Sequence, residues 1–456
     1  MSEQTRVGAV ATAMSDSDAL LWTLGRDPVL RTTIVAVLVL DGTPQWDEVR
    51  GRFEALTRFI PQLRSRVVAA PFGWGRPHWA VDDRFDLDVH LRRMVAPPPA
   101  TLRTVLDLAQ AMAVVGFDTA LPPWEAVLVE GLRGGEAAIV VKFHHSIADG
   151  LGGMAAALEV LDDHVDTRGG QPRGVPPQAE PVGQVHSWPQ GMASGVVRAA
   201  SHPGATLRSA QSTVASVGKL LAPARRPLSP LWPNRSLGRR FEVLDLPTSA
   251  LRGVAQHTET TVNDVFVTSV LGGLRRYHEQ HGAAVERLRL LMPISVRDEG
   301  DRAGGNRFVP ARFALTIETD PLRRLRHVHD AAQSWKHAPA LRLNQVLAAG
   351  LDALPPQLVT MVWGGLLKGD DFVATNVPGP AFDVAIAGAR LARLYAFSPP
   401  SGAALNVSLV TVAERACLGL NLDTAAVADG EVFRECLAAG FDEVLALTAV
   451  EAQVVA

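Results

Sequence analysis

The sequence predicts an α/β protein built from two regions of similar size joined by one crossing segment. Three observations predict it. Strand-like runs of β-branched and apolar residues alternate with runs that carry apolar residues at helical spacing. The alternation stops near residue 167 and resumes at "FEVLDLP". No short internal repeat interrupts this order. With 456 residues, 47% of them hydrophobic, the chain has ample material for a large core, and its length suits two or three domains.

The elements follow in order. "TTIVAVLVL" (32–40) reads as a buried strand, and "WDEVRGRFEALTRF" after it as an amphipathic helix. "WEAVLVEGL" and "AAIVVKFHH" read as two strands joined at "RGGE", a hairpin-like turn. "MAAALEVLDD" is a helix by propensity. "TRGGQPRGVPPQAEP" is a Pro- and Gly-rich linker. Residues 182–241 hold no Asp or Glu but eight basic residues: Arg198, Arg208, Lys219, Arg225, Arg226, Arg235, Arg239 and Arg240. The second region brings a long helix ("NDVFVTSVLGGLRRYHEQH"), strands "RLRLLMPIS" and "RFVPARFALTI", and a helix-rich stretch over about 321–367. It ends with a strand hairpin, "ALNVSLVTVAERACLGLNLD", and a helix, "GEVFRECLAAGFDEVLAL". The expected division is 1–166, a linker and basic crossover over 167–240, and 241–456.

Bulk properties exclude several functions. A formal net charge of −3 argues against a nucleic-acid binder. Two cysteines, Cys417 and Cys436, make no disulfide framework and no CxxC zinc pattern, which fits a reducing cytoplasmic compartment. The first residues lack a signal-peptide pattern, and no apolar run is long enough to span a bilayer. The expectation is a soluble or peripheral protein.

The chemistry concentrates in "VVKFHHSIADGLGG". Neighbouring side chains on a strand point to opposite faces, so if the strand runs through His145, His144 and His145 cannot easily share one metal ion. No third ligand suggests itself, so no metal is expected. Asp149 sits in a tight Gly-rich turn, where its carboxylate can cap the next helix and accept a bond from a distant arginine. Two ordinary histidines closing a strand are the plain alternative. Imidazole titrates near pH 6.5, which suits a general base. There is no GxSxG elbow and no complete dinucleotide fingerprint. The simplest remaining chemistry is a lone histidine base acting on a bound hydroxyl, amine or thiol.

"HHSIADG" matches the HHxxxDG signature of the acyltransferase superfamily that includes chloramphenicol acetyltransferase, carnitine acyltransferases and peptide-synthetase condensation domains. Further motifs resemble the bacterial wax ester synthase/diacylglycerol acyltransferase (WS/DGAT) family. They are "MSDSDALLW", "PPW" ending at Trp124, "NRSLGRR", "VND" with Asn263, "MPISVR" with Arg297, "GGNRF" and "TNVPGP" with Asn376. The resemblance runs along essentially the whole chain. Two departures stand out: Pro123 replaces the family's Leu in "PPW", and the "NVSLVTV" hairpin lacks a Ser-Tyr pair.

The resemblance implies two chloramphenicol-acetyltransferase-like α/β domains with mixed sheets and a tunnel between them. It implies acyl-CoA as co-substrate, no cofactor, and diacylglycerol or a long-chain alcohol as acceptor, giving triacylglycerol or wax esters. His145 would be the general base and His144 a support. Asp149 would be structural, paired with Arg297, unless Arg297 is only a surface residue. Asn263 is the candidate oxyanion donor or, alternatively, a helix N-cap. Gly150, Asn376, Arg239 and Arg240 are the candidate substrate contacts. Asn376 either lines the tunnel or holds a Pro/Gly turn, and Arg239 and Arg240 would meet the CoA phosphates. The remaining basic residues of the crossover would meet a membrane or lipid-droplet surface. Trp124 reads as core, Asp423 and Asp429 as turn residues, and His278 and His281 as solvated. Two other functions remain open: the same chemistry on a polyketide or glycolipid hydroxyl, and a non-catalytic lipid-binding protein.

Overall fold

From Ile34 to Leu40 every side chain is apolar and buried. A strand with two apolar faces must lie inside a sheet that is covered on both sides. The computed structural model, which describes residues 12–69, 76–147, 226–295, 308–336, 367 and 369–450, places it there. The helix expected at 154–163, the linker, the crossover up to residue 225, Asn306 and most of the stretch after 336 lie outside the described residues.

The first half runs β1 (Thr12–Ala13), α1 (Asp16–Leu24), β2 (Thr33–Asp41), α2 (Trp46–Phe59), β3 (Ser65–Val68) and β4 (His78–Val81). It continues with α3 (Leu87–His90), β5 (Leu91–Val95), α4 (Leu102–Val114), β6 (Trp124–Glu130) and β7 (Ala137–His144). In α2 the buried residues Val49, Phe53 and Leu56 recur at helical spacing, and Asp47 and Glu48 in the first turn complement the helix dipole. Trp124 is core: it stacks on Phe53 and His90 and donates from Nε1 to the Leu63 carbonyl at 2.7 Å.

The second half runs β8 (Arg239–Pro247), α5 (Thr248–His257), α6 (Val262–Gln280), β9 (Arg287–Ser295), β10 (Phe308–Thr316) and α7 (Pro321–Lys336). Then come β11 (Phe372–Pro378), β12 (Ala385–Ile386), β13 (Ala389–Phe397), β14 (Leu405–Val412), β15 (Arg415–Asp423), α8 (Gly430–Leu445) and α9 (Leu447–Val450). Two six-stranded sheets result. One has the order β12-β13-β2-β7-β6-β5, the other β10-β9-β11-β14-β15-β8. Both are mixed: β5 is parallel to β6 and β11 to β14, while β2–β7 and β14–β15 are antiparallel. A small sheet, β1-β4-β3, flanks the first.

The halves interlock. β12 and β13 come from the second half of the sequence but complete the first sheet, with Phe397 opposite Val35 and Leu394 opposite Leu38. β13 also lies against β15, where a Cβ on Gly419 would come within 2.1 Å of the Ala396 carbonyl oxygen. Only glycine permits that approach. Phe241 of β8 stacks on Phe397 at 4.0 Å with rings 3° from parallel. Two buried carboxylates pin the incoming chain. Asp371 accepts from the backbone N–H of Leu228, Ser229 and Arg289. Asp423 accepts from the Ser236 backbone and hydroxyl and pairs with Arg239 at 3.1 Å.

Two side-chain expectations are corrected here. His278 is fully buried, not solvated: Nδ1 donates to the Leu274 carbonyl at 2.7 Å, and Nε2 accepts from the Ser229 hydroxyl at 2.7 Å. His281 meets the Tyr277 carbonyl and Asp429, at 2.8 and 3.2 Å. Asp423 does open the turn after β15, accepting the Ala425 N–H at 2.9 Å, and at 1% exposure it is a buried anchor as well.

Candidate active site

The histidine pair stands where β7 ends. The strand stops at His144, and residues 145–147 form a turn closed by Ile147 N–H donating to the His144 carbonyl at 3.0 Å. His145 therefore does not extend the strand, contrary to the simplest strand-through reading. The separation of the two rings comes from the turn.

His144 is buried and fixed. Its Nδ1 accepts from the Ser146 backbone N–H at 3.1 Å and lies 2.8 Å from the Ser146 hydroxyl. That leaves the proton on Nε2, which donates to Thr32 Oγ1 at 2.9 Å. The Thr32 hydroxyl passes its own proton on to the Leu21 carbonyl at 3.1 Å. One tautomer satisfies the chain of bonds throughout. Burial, helped by the neighbouring His145, pushes the His144 pKa down to about 3, so the ring is neutral at physiological pH. Trp22 and Phe117 pack on it at 4.7 and 6.0 Å between ring centroids. Phe117 also receives the Lys142 ammonium at 4.5 Å. Lys142 is buried and pairs with Glu125 at 2.8 Å.

Thr32 holds both histidines. Its hydroxyl takes His144, and its carbonyl accepts the His145 backbone N–H at 2.9 Å. His145 itself is half-buried. Its ring is thus carried on a turn whose backbone is bonded to Thr32, just before β2, and whose neighbour is locked in place. α1, capped by Ser15 and carrying Trp22, ends at Gly25. A Cβ on Gly25 would sit 2.6 Å from Thr32 Oγ1 and 2.7 Å from His144 Nε2, so a glycine is required there. Sequence reading missed Thr32, Ser146, Gly25 and Phe117. "TTIVAVLVL" did display the threonine, but only the register Thr33↔His144 shows what it faces.

The other candidates are placed as follows. Asp149, Gly150 and Arg297 lie outside the described residues. Asn263 stands in the first turn of α6 and donates to Met292 Sδ at 3.5 Å. The alternative that it caps this helix is corrected. Thr261 is the N-cap, in extended geometry, and forms a reciprocal capping box with Asp264. Asn376 is not in a Pro/Gly turn. It is inside β11, opposite Leu409 of β14, because the turn chemistry of "NVPGP" acts only after Pro378. Arg239 and Arg240, adjacent on β8, point to opposite faces. Arg239 pairs with Asp423, and the more exposed Arg240 pairs with Glu242 at 2.6 Å. Among the described residues no cluster of His, Cys, Asp or Glu could hold a metal ion. No described helix is long and apolar enough to cross a membrane.

Comparisons with known proteins agree with this architecture. The family description "Wax ester synthase/diacylglycerol acyltransferase catalytic domain" matches residues 14–266, and "WS/DGAT C-terminal domain" matches 304–444. "Putative diacyglycerol O-acyltransferase Rv2484c" of Mycobacterium tuberculosis H37Rv is 34% identical over 98% of this chain and 94% of its own length. Another M. tuberculosis protein of that named class, Rv0895, is 30% identical over 91% of this chain and 87% of its own. Among solved structures, the wax ester synthase/diacylglycerol acyltransferase from Marinobacter aquaeolei VT8 superposes with a TM-score of 0.65 at 21% identity, covering 96% of this chain and all of that one. The first condensation domain of the calcium-dependent antibiotic synthetase superposes at 0.62 with 17% identity, covering 96% of both chains. These two likenesses establish the fold, which is that of the acyltransferase and condensation-domain group. By family match along most of its length, the chain belongs to the wax ester synthase/diacylglycerol acyltransferase family.

Proposed function

We propose that this protein is an acyl-CoA-dependent O-acyltransferase that esterifies diacylglycerol or a long-chain alcohol, with His145 as general base. The observation that carries the reading is the division of labour in the histidine pair. His144 is locked neutral with both ring nitrogens engaged. His145, one residue on, leaves the strand and sits half-buried in a turn. In the proposed reaction His145 takes the acceptor hydroxyl proton as the oxygen attacks the thioester carbonyl. The oxygen–carbon bond forms, the carbon–sulfur bond breaks, and the imidazolium returns the proton to the CoA thiolate. Holding both substrates in line supplies much of the rate. Asn263 is offered as a donor to the oxyanion, and Asp149 with Arg297 as a structural pair. The basic crossover would bring the enzyme to an anionic lipid surface, from which both greasy substrates are reached. Replacing Arg225 and Arg226 with Gln should then reduce sedimentation with anionic liposomes, as added salt should.

The deciding experiment incubates the protein with palmitoyl-CoA and either dioleoylglycerol or hexadecanol and follows free thiol. Acceptor-dependent thiol release supports the reading. In a folded His145→Ala protein it should fall by about a hundredfold or more, the scale of a lost general base. Release that needs neither acceptor would refute it, and undiminished turnover in His145→Ala would remove the base. A donor consumed only with a glycolipid hydroxyl would redirect the acceptor class.

A further inference from the structure

The Asn263 amide is held only weakly by its own contact. Nδ2 donates to Met292 Sδ at 3.5 Å, and a thioether is a weak acceptor. The amide therefore keeps donor capacity for a stronger acceptor. Where it stands is set less by its own bond than by the backbone of the first turn of α6, which carries it.

The next residue fixes that turn. Asp264 is 2% exposed, and one of its oxygens, Oδ2, collects three donors. The Thr261 backbone N–H reaches it at 3.0 Å, the Thr261 hydroxyl at 2.8 Å and His329 Nδ1 at 2.8 Å. The first two bonds belong to the capping box. They are local, so they move with the helix end and tie it to nothing else. The third comes from another helix. An ionised carboxylate only accepts, so the proton of that bond lies on His329 Nδ1.

His329 stands on a firm base. It is carried by α7, whose Leu325 and Val328 are buried in the core. Arg324 of the same helix is fully buried and donates from Nε to the Thr268 carbonyl of α6 at 3.1 Å and from Nη2 to Glu443 of α8 at 2.8 Å. Thr268 lies one helical turn beyond Asp264. α7 thus grips α6 at two successive turns, and the grip nearer the helix start is the imidazole.

We infer that His329 is a positioning residue for acyl transfer: through Asp264 it holds the first turn of α6 so that the Asn263 amide is aimed at the reacting oxygen. This rests on the proposed function for the role of Asn263. His329 itself touches no reacting atom.

The test compares His329→Leu, which removes the donor, with His329→Asn, whose amide nitrogen can stand near the place of Nδ1. In the palmitoyl-CoA and dioleoylglycerol assay, His329→Leu should lower kcat about tenfold and leave the KM of both substrates within about twofold, the signature of misplaced machinery. His329→Asn should recover most of the loss. In an Asn263→Ala background the leucine substitution should add less than about twofold, because the two residues act as one unit. A second readout needs no turnover. The chain has seven asparagines, so selective ¹⁵N-Asn labelling gives few side-chain amide signals, and Asn263→Ala identifies one of them. That signal should shift or broaden in His329→Leu and return in His329→Asn. If His329→Leu does not fold, His329→Gln replaces it, since its amide reaches the place of Nε2 and misses Asp264. A folded variant that melts lower but keeps its kcat would make His329 merely structural and overturn the inference. So would equal losses with and without Asn263, or an unmoved Asn263 signal. A signal that moves with His329 in a protein that transfers to neither dioleoylglycerol nor hexadecanol would sink the proposed acceptors and leave the His329–Asp264–Asn263 link standing.

Discussion

Thr32 is the residue on which the site's geometry turns, because one side chain and one carbonyl hold both imidazoles. Thr32→Val keeps the volume and removes the hydroxyl. His144 Nε2–H then loses its acceptor, which should cost about 1–3 kcal/mol of stability. The His145 turn should shift, and turnover should fall about tenfold to a hundredfold while the KM for acyl-CoA stays put. Thr32→Ser should restore most of the rate; failure of that rescue, with Val and Ser alike in turnover, would show that the hydroxyl does not position the base. The depressed pKa of His144 makes a second prediction. An ordinary histidine takes its proton near pH 6.5, and His144 in the fold takes it only near 3. The unfolded chain therefore binds that proton more readily as pH falls between these values. Its contribution to stability is complete above about 6.5 and is lost on acidification, at up to roughly 1.4 kcal/mol per pH unit. Denaturant melts from pH 7 to 4 should show this slope, flattened in His144→Leu. An equal slope in both proteins would assign it to other groups. At this scale the sequence was partly legible. "HHSIADG" announced the histidines, since their adjacency needs no tertiary knowledge. Thr32 was hidden, because its bond to His144 exists only once residues 112 positions apart have been brought together.

Helix α8 shows how close the second half packs its elements. It lies on α6 through Gly273 and Gly440. A Cβ on Gly440 would come within 2.3 Å of the Gly273 nitrogen and 2.6 Å of the Ser269 carbonyl oxygen. Backbone cannot retreat as a flexible side chain can. Gly440→Ala should therefore lower stability by about 1–3 kcal/mol, the usual scale of overpacking, although alanine favours a helix intrinsically. A thermal shift assay reads this directly, and a raised melting temperature would show that the helices part without cost. The elements themselves were readable wherever the pattern was strong. "WDEVRGRFEALTRF" is α2 residue for residue, and "RLRLLMPIS" is β9. Reading failed where local chemistry spoke against tertiary context. "TNVPGP" looks like a turn, yet pairing with β14 carries the strand through Asn376 to Pro378. His278 looks polar and so exposed, yet a neutral imidazole can satisfy both nitrogens inside a core, here with Leu274 and Ser229.

The molecule as a whole cannot be cut where its sequence appears to divide. "ARLARLYAF" was not singled out as an element at all, and no local pattern tells that β13 belongs to the opposite half. It pairs along most of β2, with a register shift between Leu391 and Arg393. Leu391, Leu394, Tyr395 and Phe397 are all buried in doing so. Each such side chain contributes roughly 1.5–3 kcal/mol, and four together approach the whole net stability of a domain, about 5–15 kcal/mol. Polar bonds tie the same seam: Tyr395 donates to Asp245 at 2.9 Å, and Arg103 of α4 donates to the Phe241 carbonyl at 2.6 Å. A fragment of residues 1–240 would leave β2 as an unpaired edge of seven consecutive apolar residues, the arrangement that invites aggregation. The fragment is therefore expected to be insoluble or to lack near-UV circular dichroism, and co-expression with residues 241–456 should return a soluble complex by supplying β13. The intact chain should melt in one cooperative transition, with calorimetric and van't Hoff enthalpies equal. A soluble 1–240 fragment that unfolds cooperatively by itself would show that the first sheet closes without its borrowed strand, and would make the two halves separable folding units.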